Sequence, residues 1–121
     1  MSRTRVLILG GGYVGLYTAL TLMRKAGDKV DLTVIDRRPY MTYAPFLPEA
    51  AAGSIEPRHA VVPLRRELEG ARILQGKVER IDHASRTVEA ATDLGERFEV
   101  HYDEVVVALG AVSRTAPLPG L

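Results

Sequence analysis

The sequence predicts an α/β fold: a parallel sheet with one major helix after a glycine-rich turn, and a three-stranded antiparallel β-meander inserted further along the chain. The apolar run from Arg5 to Leu9 is bounded by glycine, as is typical of a parallel strand buried on both faces. A helical period follows from Tyr13. From Gly76 onward, short alternating segments separated by turn residues indicate antiparallel strands.

The composition limits the chain to one domain and excludes several classes of function. Its 121 residues are 46% hydrophobic and 26% charged, which fits a single domain over residues 1–121. Sixteen basic and fifteen acidic residues give a net charge of +1, so the charge does not favour nucleic acid as a partner. The chain has no Cys, and no segment approaches the roughly 20 apolar residues of a membrane helix. We therefore expect a cytoplasmic domain that is not inserted in a membrane.

Two predicted strands flank the helix. Apolar residues at three- and four-residue steps indicate the helix, and they are Val14, Tyr17, Leu20 or Thr21, and Met23 or Ala26. Arg24 and Lys25 complement the helix dipole, and Gly27 is a suitable stop. A second apolar run, Asp31–Ile35, predicts another buried parallel strand, which completes a right-handed βαβ unit.

Glycines after the first strand have the spacing of a dinucleotide-binding motif. Gly10, Gly12 and Gly15 give G-x-G-x-x-G between strand and helix. Asp36 follows Gly15 by 21 positions, at the end of the second strand. Gly10 allows the tight turn, Gly12 allows a pyrophosphate to approach, and Gly15 allows the helix to pack closely on the sheet. The pattern predicts a Rossmann-like site for an ADP-containing dinucleotide.

The start of the helix and the acidic residue complete this predicted site. N–H groups of the first helical turn, at Tyr13 and Val14, would bind the phosphates because the helix dipole favours negative charge there. Tyr13 either stacks on the cofactor or packs at the surface. Asp36 would accept hydrogen bonds from a ribose 2′-OH and repel a 2′-phosphate. Arg37 and Arg38 are interpreted as a solvated face beside the adenosine, although arginine next to this position also suits a 2′-phosphate.

The chain then departs from a plain doubly wound domain, which would continue with another helix and strand. Residues 39–58 contain four prolines yet are apolar and aromatic, so they have room only for short helical pieces such as Leu47–Ala52. A long insertion of this kind is usually functional.

Three stretches of the chain resemble the N-terminal part of type II NADH:quinone oxidoreductases, members of the wider FAD-dependent pyridine nucleotide-disulfide oxidoreductase family. They are the glycine motif with Asp36-Arg37, the run Tyr40-Met-Thr-Tyr-Ala-Pro-Phe-Leu-Pro-Glu-Ala-Ala-Ala-Gly, and the run Glu56-Pro-Arg-His-Ala-Val-Val-Pro-Leu-Arg. The resemblance covers essentially the whole chain and implies that the glycine motif holds FAD. It also implies which residues approach the ribityl and ring end of the flavin, namely Thr42, Tyr43, Ala44 and Pro45. Relatives that reduce disulfides carry a cysteine pair in this region, and its absence here argues against thiol relay chemistry.

The remaining chain predicts a short helix, a third parallel strand, the meander and a last parallel strand. In order, these are Pro63–Glu69 stopped by Gly70, Arg72–Leu74, Gly76–Asp82, Thr87–Ala91, Arg97–Tyr102, and Glu104–Leu109 closed by Gly110. The arrangement resembles an FAD domain of the glutathione-reductase type, here incomplete. The resemblance implies that the backbone at Val78 faces the adenine and that the turn Ala108-Leu109-Gly110 passes near the cofactor phosphates. Core packing explains the side chain of Val78 equally well.

No residue is nominated as a catalytic acid, base or nucleophile, or as a metal ligand. His59, His83 and His101 lie far apart in the sequence, with no Cys to join them. Flavin chemistry needs no such group, because the cofactor itself accepts hydride and passes electrons on.

The resemblance implies the FAD-binding part of an enzyme that transfers electrons from NADH to a quinone. That family also carries a second glycine motif for NADH, a returning C-terminal segment, and C-terminal helices that touch membrane and quinone. The sequence contains none of these, so we expect a fragment that is inactive alone. We expect its longer protein to be peripheral on the cytoplasmic face of a membrane. A sheet edge left open by the missing strand favours self-association.

Two other classes of protein stay open. The run Gly12-Tyr-Val-Gly-Leu also suits the NAD-binding domain of a nucleotide-sugar-type dehydrogenase. The second alternative is a non-catalytic nucleotide-sensing Rossmann module. A regular helix and strand directly after Asp36 would favour either class, and the sequence lacks them.

Overall fold

The structure is a computed structural model that describes residues 3–38, 40–42 and 61–110, with side chains for residues 3–38 and 63–110. The elements in chain order are β1 (Thr4–Leu9), α1 (Tyr13–Ala26), β2 (Val30–Asp36), β3 (Tyr40–Thr42), β4 (Val61–Pro63), α2 (Leu64–Glu67), β5 (Arg72–Gln75), β6 (Lys77–Asp82), β7 (Thr87–Ala91), β8 (Arg97–His101) and β9 (Glu104–Val107). The short helix predicted at Leu47–Ala52 lies outside the described residues.

Four parallel strands form the central sheet in the order β5-β2-β1-β9. Strand β1 pairs with β2 from Thr4↔Val30 to Leu9↔Ile35. On its other side, β1 pairs with β9, where Leu9 lies opposite Val107. The crossovers from β1 to β2 and from β2 to β5 both run to one side of β1, and the chain then returns to place β9 on its other side. This confirms the predicted Rossmann-like sheet and puts its switch point beside the end of β1.

Side chains of β1 are buried on both faces of the sheet, as the apolar run predicts. Val6 and Ile8 join one core cluster on the side of α1. Leu7 and Leu9 join a second cluster on the opposite face. All four are at most 7% exposed. The continuous apolar run therefore reflects two separate packing partners, one for each face.

Helix α1 has the predicted bounds, but the first part of the predicted apolar stripe is exposed, while Leu20 and Met23 further along it pack against the first core cluster. Its buried residues are Gly15, Leu16 and Ala19. Val14 is 66% and Tyr17 58% exposed. The first half of α1 is apolar almost all round, so periodicity predicts a helix there without fixing which side faces the sheet. In the part of the chain that the structure describes, no helix is long and apolar enough to cross a membrane.

The antiparallel meander covers the other face of the sheet, and its strand order is β6-β7-β8. Val88 and Ala90 of β7 are wholly buried against Leu7, Leu9 and Ile35 of the parallel strands. The pairing of β6 with β7 shifts register between Val78 and Arg80, as at a β-bulge. The predicted meander is therefore confirmed, and its apolar side supplies the second core cluster.

A small two-stranded sheet follows Asp36 and was not among the predicted elements. Strand β3 pairs antiparallel with β4, from Tyr40↔Pro63 to Thr42↔Val61. Helix α2 begins directly after Pro63, which the sequence predicts as its start. The chain turns at Gly70, whose φ is 92°, before β5 begins. This pair brings the chain that leaves β2 back to the central sheet.

An ion pair joins the start of β1 to the turn between β8 and β9. The Arg5 guanidinium contacts the Asp103 carboxylate at 3.1 Å, and the Arg5 backbone N–H donates to the same carboxylate at 2.7 Å. These bonds lower the pKa of Asp103 from its usual value, with the side-chain bond from Arg5 as the largest cause. A turn at Ser85 lowers the pKa of Asp82 in the same direction, mainly through the Ser85 backbone N–H.

Acid is expected to weaken the fold through these two carboxyls. A carboxyl whose pKa is lower in the folded than in the unfolded chain stabilises the fold above its unfolded pKa of about 4, and the stabilisation is lost as the pH falls through the folded pKa. Asp103→Asn is therefore expected to lower the unfolding free energy at pH 7 and to flatten its decline below about pH 4. Urea unfolding across this pH range measures both effects. The exposed Glu69→Gln is the charge-matched control, and equal pH profiles for the two variants would contradict the expectation.

Candidate functional site

The glycine-rich turn between β1 and α1 is held by close backbone contacts. Gly10 has a φ of 106°, and its N–H donates to the Ile35 carbonyl at 2.8 Å. A Cβ at Gly10 would lie 2.0 Å from the Ala108 carbonyl oxygen. A Cβ at Gly15 would lie 1.7 Å from the Gly10 carbonyl oxygen. Both positions therefore require glycine for packing within the protein, with or without a ligand.

Gly12 differs from these two glycines because it faces open space. A Cβ there would meet nothing within 4 Å, and the residue is exposed. Gly12 is the N-cap of α1, with no side-chain cap, and the first helical hydrogen bond runs from the Leu16 N–H to the Gly12 carbonyl at 2.8 Å. The first turn of the helix contains no acidic residue. The positive end of a 14-residue helix is thus open toward the surface at Gly12.

Asp36 lies at the end of β2 and contacts the glycine turn directly. Its Oδ2 accepts a hydrogen bond from the Gly11 backbone N–H at 2.5 Å. Its Oδ1 accepts one from the Arg38 backbone N–H at 2.8 Å. The residue is half-buried. Each carboxylate oxygen has further acceptor capacity, so the side chain can also receive hydrogen bonds from a ribose.

A cleft of about 700 Å³ adjoins Asp36 at the carboxyl ends of the parallel strands. It is lined by Ile35, Asp36, Arg37, Arg38, Gln75, Gly76, Lys77, Val78, Asp93 and Leu109. Its volume lies within the range of small-molecule sites, and its place beside the switch point of the sheet is where open α/β sheets bind ligands. Val78 and Leu109 supply apolar surface for a flat ring, while Ile35 behind them is wholly buried in the core.

Charged groups surround the apolar part of the cleft. Arg37, Arg38 and Lys77 bring three cations, and Asp36 and Asp93 bring two carboxylates. The Gln75 side-chain amide donates to the Arg37 carbonyl at 3.2 Å, which ties the end of β5 to the turn after β2. This arrangement suits a ligand that is aromatic at one end and anionic at the other.

The structure brings most of the predicted site residues together. Those that meet at the glycine turn are Gly10, Gly12, Gly15, Asp36 and Ala108, while Arg37 and Val78 line the adjoining cleft. Gly110, with φ of 73°, follows Leu109 at the same end of the sheet. Tyr13 is 38% and Val14 66% exposed in the first turn of α1. Val78 also packs against the second core cluster, as the core interpretation expects, and its contact with the adenine stays a prediction.

Part of the predicted site cannot be compared with the structure. Tyr43, Ala44 and Pro45 lie outside the described residues. Thr42 is described only as the last residue of β3. The predicted approach of this segment to a flavin therefore stays a prediction.

Several residues of the site carry no signal in the sequence. Gln75, Lys77 and Asp93 line the cleft but come from the end of β5, the start of β6 and the turn before β8. Gly11 is the unconstrained middle position of the motif, yet it donates to Asp36. Lys77 could have been found only by expecting the start of the meander to lie beside the end of β2. Among the residues searched, which are those described, no group of three metal-ligating side chains occurs.

Comparison with known proteins gives a match over nearly the whole chain. The family model described as pyridine nucleotide-disulphide oxidoreductase matches residues 4–121. A type II NADH:quinone oxidoreductase of Staphylococcus haemolyticus is 31% identical over 122 aligned residues, which cover 98% of this chain. That alignment covers 29% of the staphylococcal protein, so the chain spans less than a third of the length of this relative.

Solved structures agree in fold. The structure titled NDH2 from Plasmodium falciparum in complex with NADH has a TM-score of 0.87 and 23% identity, and the match covers 94% of this chain and 24% of that one. The sulfide:quinone oxidoreductase of Aquifex aeolicus has a TM-score of 0.73 and 31% identity, and the match covers 88% of this chain and 24% of that one. Each likeness is therefore confined to about a quarter of a larger protein.

Proposed function

Because this chain belongs to the pyridine nucleotide-disulphide oxidoreductase family, we propose that it binds FAD through the glycine turn and the cleft beside Asp36. One observation carries the proposal: the open N-terminus of α1 at Gly12 lies in the same turn that Asp36 contacts through Gly11. A pyrophosphate at the helix end and a ribose on a carboxylate are the two polar contacts that an ADP moiety needs.

The residues present fit such a group. The helix end offers N–H donors without a competing acidic side chain, and no Cβ projects from Gly12 into the space of a phosphate. Asp36 receives the ribose hydroxyls, and the cleft of about 700 Å³ takes the adenine against Val78 and Leu109. Arg37 and Lys77 line the same cleft and bring positive charge to the adenosine end of the ligand. Thr42, Tyr43 and Pro45 are proposed to follow the ribityl chain toward the flavin ring.

The proposed role of the chain is the FAD-binding portion, over residues 1–121, of a longer enzyme that oxidises NADH and reduces a quinone. Support comes from the staphylococcal relative, a type II NADH:quinone oxidoreductase, and from the fold shared with an NADH complex of NDH2. When bound, FAD supplies the acceptor for a hydride and the donor of two electrons to the quinone. The described residues supply binding and orientation, and none is proposed as an acid or base.

The two alternative classes are less well supported. A nucleotide-sugar-type dehydrogenase or a nucleotide-sensing module would continue after Asp36 with a regular helix and strand. The described chain instead continues with β3 paired to β4 and then, after β5, with the meander. The family match over residues 4–121 agrees with the flavoprotein proposal and favours neither alternative.

Location and assembly belong to the proposal as well. The longer enzyme is proposed to lie peripherally on the cytoplasmic face of a membrane, where a lipid-soluble quinone is available. Self-association is proposed through β9, which is an edge strand among the described strands and whose Val107 is 60% exposed.

Ligand competition tests the proposed function. The purified chain is expected to quench the fluorescence of added FAD and to lose this effect in Gly12→Val, because the added side chain occupies the space of the pyrophosphate. Unlabelled ADP is expected to compete, since it carries the part of FAD that the site contacts. Binding of NAD with no binding of FAD would contradict the proposal and favour the dehydrogenase alternative.

A further inference from the structure

The middle glycine of the motif, Gly11, is buried between two side chains that come from distant parts of the sequence. A Cβ at Gly11 would lie 2.5 Å from Leu64 Cδ1 and 3.4 Å from Asp36 Cβ. The motif itself allows any residue here, because this position faces neither the phosphate nor the strand-to-helix packing. An added Cβ at Gly11 would therefore have to displace the end of the Leu64 side chain or the turn itself.

Leu64 has little room to move away from the turn. It is 0% exposed and belongs to the core cluster that contains Ile8, Leu16 and Val34. It is also the first residue of α2, where its carbonyl accepts the Leu68 N–H at 2.8 Å. Interiors are close-packed, so a methyl group added at residue 11 would displace either this side chain or the turn.

The same turn is held from its other side by Asp36. The Gly11 N–H donates to one carboxylate oxygen at 2.5 Å, and the Arg38 N–H donates to the other at 2.8 Å. After Arg38 the chain enters β3, pairs with β4 and arrives at Leu64. Gly11 is therefore contacted on one side by Asp36, at the end of β2, and on the other by Leu64, which follows β4.

We propose that Gly11 and Leu64 are positioning residues, which seat the glycine turn against Asp36 and hold it in the shape that receives the pyrophosphate. We call the contacts of Asp36 and Leu64 with Gly11 the seat of the turn. The inference rests on the proposed function for its ligand, but the seat forms without a ligand. Leu64 packs directly against the Gly11 backbone because Gly11 has no side chain. This packing keeps the Gly11 N–H directed at the Asp36 carboxylate. The turn is then ordered before the cofactor arrives, which lowers the ordering cost of binding.

A double-mutant cycle tests the seat. Gly11→Ala is expected to weaken FAD affinity by about tenfold or more, because displacement of the turn reduces the competent fraction. In a Leu64→Val background, which removes the Cδ atoms, the same change is expected to cost less than about twofold. Gly12→Ala is the matched control: its loss of affinity is expected to be equal in both backgrounds, since a Cβ there meets nothing within 4 Å. Equal losses for Gly11→Ala in both backgrounds would overturn the proposal.

Hydrogen exchange of the residue 11 amide, measured without cofactor, separates this inference from the proposed function. The amide is expected to be protected in the unsubstituted chain, exposed in Gly11→Ala and protected again when Leu64→Val is added. If the unsubstituted chain binds no FAD, the proposed function fails, while this exchange pattern still supports the seat. Unchanged protection in Gly11→Ala would overturn the seat even in a chain that binds FAD.

Discussion

Gly15→Ala is expected to destabilise the protein by about 3 kcal/mol, although alanine is the better helix former by roughly 1 kcal/mol. A Cβ at this position would lie 1.7 Å from the Gly10 carbonyl oxygen and 2.8 Å from the Gly10 carbonyl carbon. Both atoms belong to the backbone, so no rotamer change relieves the clash. Helix propensity and packing point in opposite directions here, and the distances decide for packing.

Chemical denaturation of Gly15→Ala measures this effect, with Gly12→Ala as its control. Gly12 has the backbone angles φ −79° and ψ −156°, which other residues adopt, and open space at its Cβ. We expect Gly12→Ala to change the unfolding free energy by less than about 1 kcal/mol while weakening FAD binding. A stability for Gly15→Ala equal to or above that of the unsubstituted chain would show that the helix does not pack on the turn as described.

Asp36→Ala is expected to weaken FAD binding by about 2 kcal/mol, or roughly 30-fold, because hydrogen bonds to a charged acceptor each contribute about 1.5–3 kcal/mol. The substitution removes the acceptor for the ribose and, in the same step, the acceptor that holds the Gly11 N–H. Asp36→Asn keeps one oxygen acceptor, so its FAD affinity is expected to lie between those of the unsubstituted chain and Asp36→Ala. Fluorescence titration with FAD and with ADP measures the losses, which are expected to be similar for both ligands.

Asp31→Ala is the control for Asp36→Ala. Asp31 is an exposed carboxylate on the same strand, near the end opposite the cleft. Asp31→Ala removes the same charge from β2 without changing a contact of the glycine turn. The FAD affinity of this variant is therefore expected to stay within about twofold of that of the unsubstituted chain. Similar losses for both variants would mean that net charge, and not the contact with Gly11, sets the affinity.

Local sequence patterns predict the parts of this fold that depend on neighbours along the chain. The run from Arg5 to Leu9 predicts a strand buried on both faces, and the structure supplies the two clusters that bury it. Glycine spacing predicts the turn, because the spacing itself reflects the contacts of Gly10 and Gly15. Asp36 is predicted from its distance to the motif and lies within hydrogen-bond reach of it.

Other features depend on residues that lie far apart in the sequence, and no pattern reveals them. The close contact at Gly11 comes from Leu64, which follows the paired strands β3 and β4 in the chain. Asp93 reaches the cleft because the meander folds over the second face of the sheet. The exposure of Val14 and Tyr17 is different, because Thr21, Arg24 and Lys25 lie on their side of α1 and mark it as the solvent side, which the apolar first half of the helix does not show by itself.

The last parallel strand shows how the environment limits such predictions. The apolar run Glu104–Leu109 predicts a buried strand, but the strand ends at Val107 and its burial is partial. Among the described strands, β9 lies at the sheet edge, and Val107 and Leu109 are 60% and 53% exposed. An apolar sequence shows that residues are suited to burial. Whether they are buried depends on the elements that pack against them.

The most direct measurement is a crystal structure of the chain with FAD. We expect the pyrophosphate on the backbone N–H groups at Gly12 and the start of α1, the ribose on Asp36, and the adenine in the cleft between Val78 and Leu109. We also expect the hydrogen bond from Gly11 to Asp36 to persist in the complex. FAD bound elsewhere on the chain, with the glycine turn unoccupied, would contradict the proposed binding site.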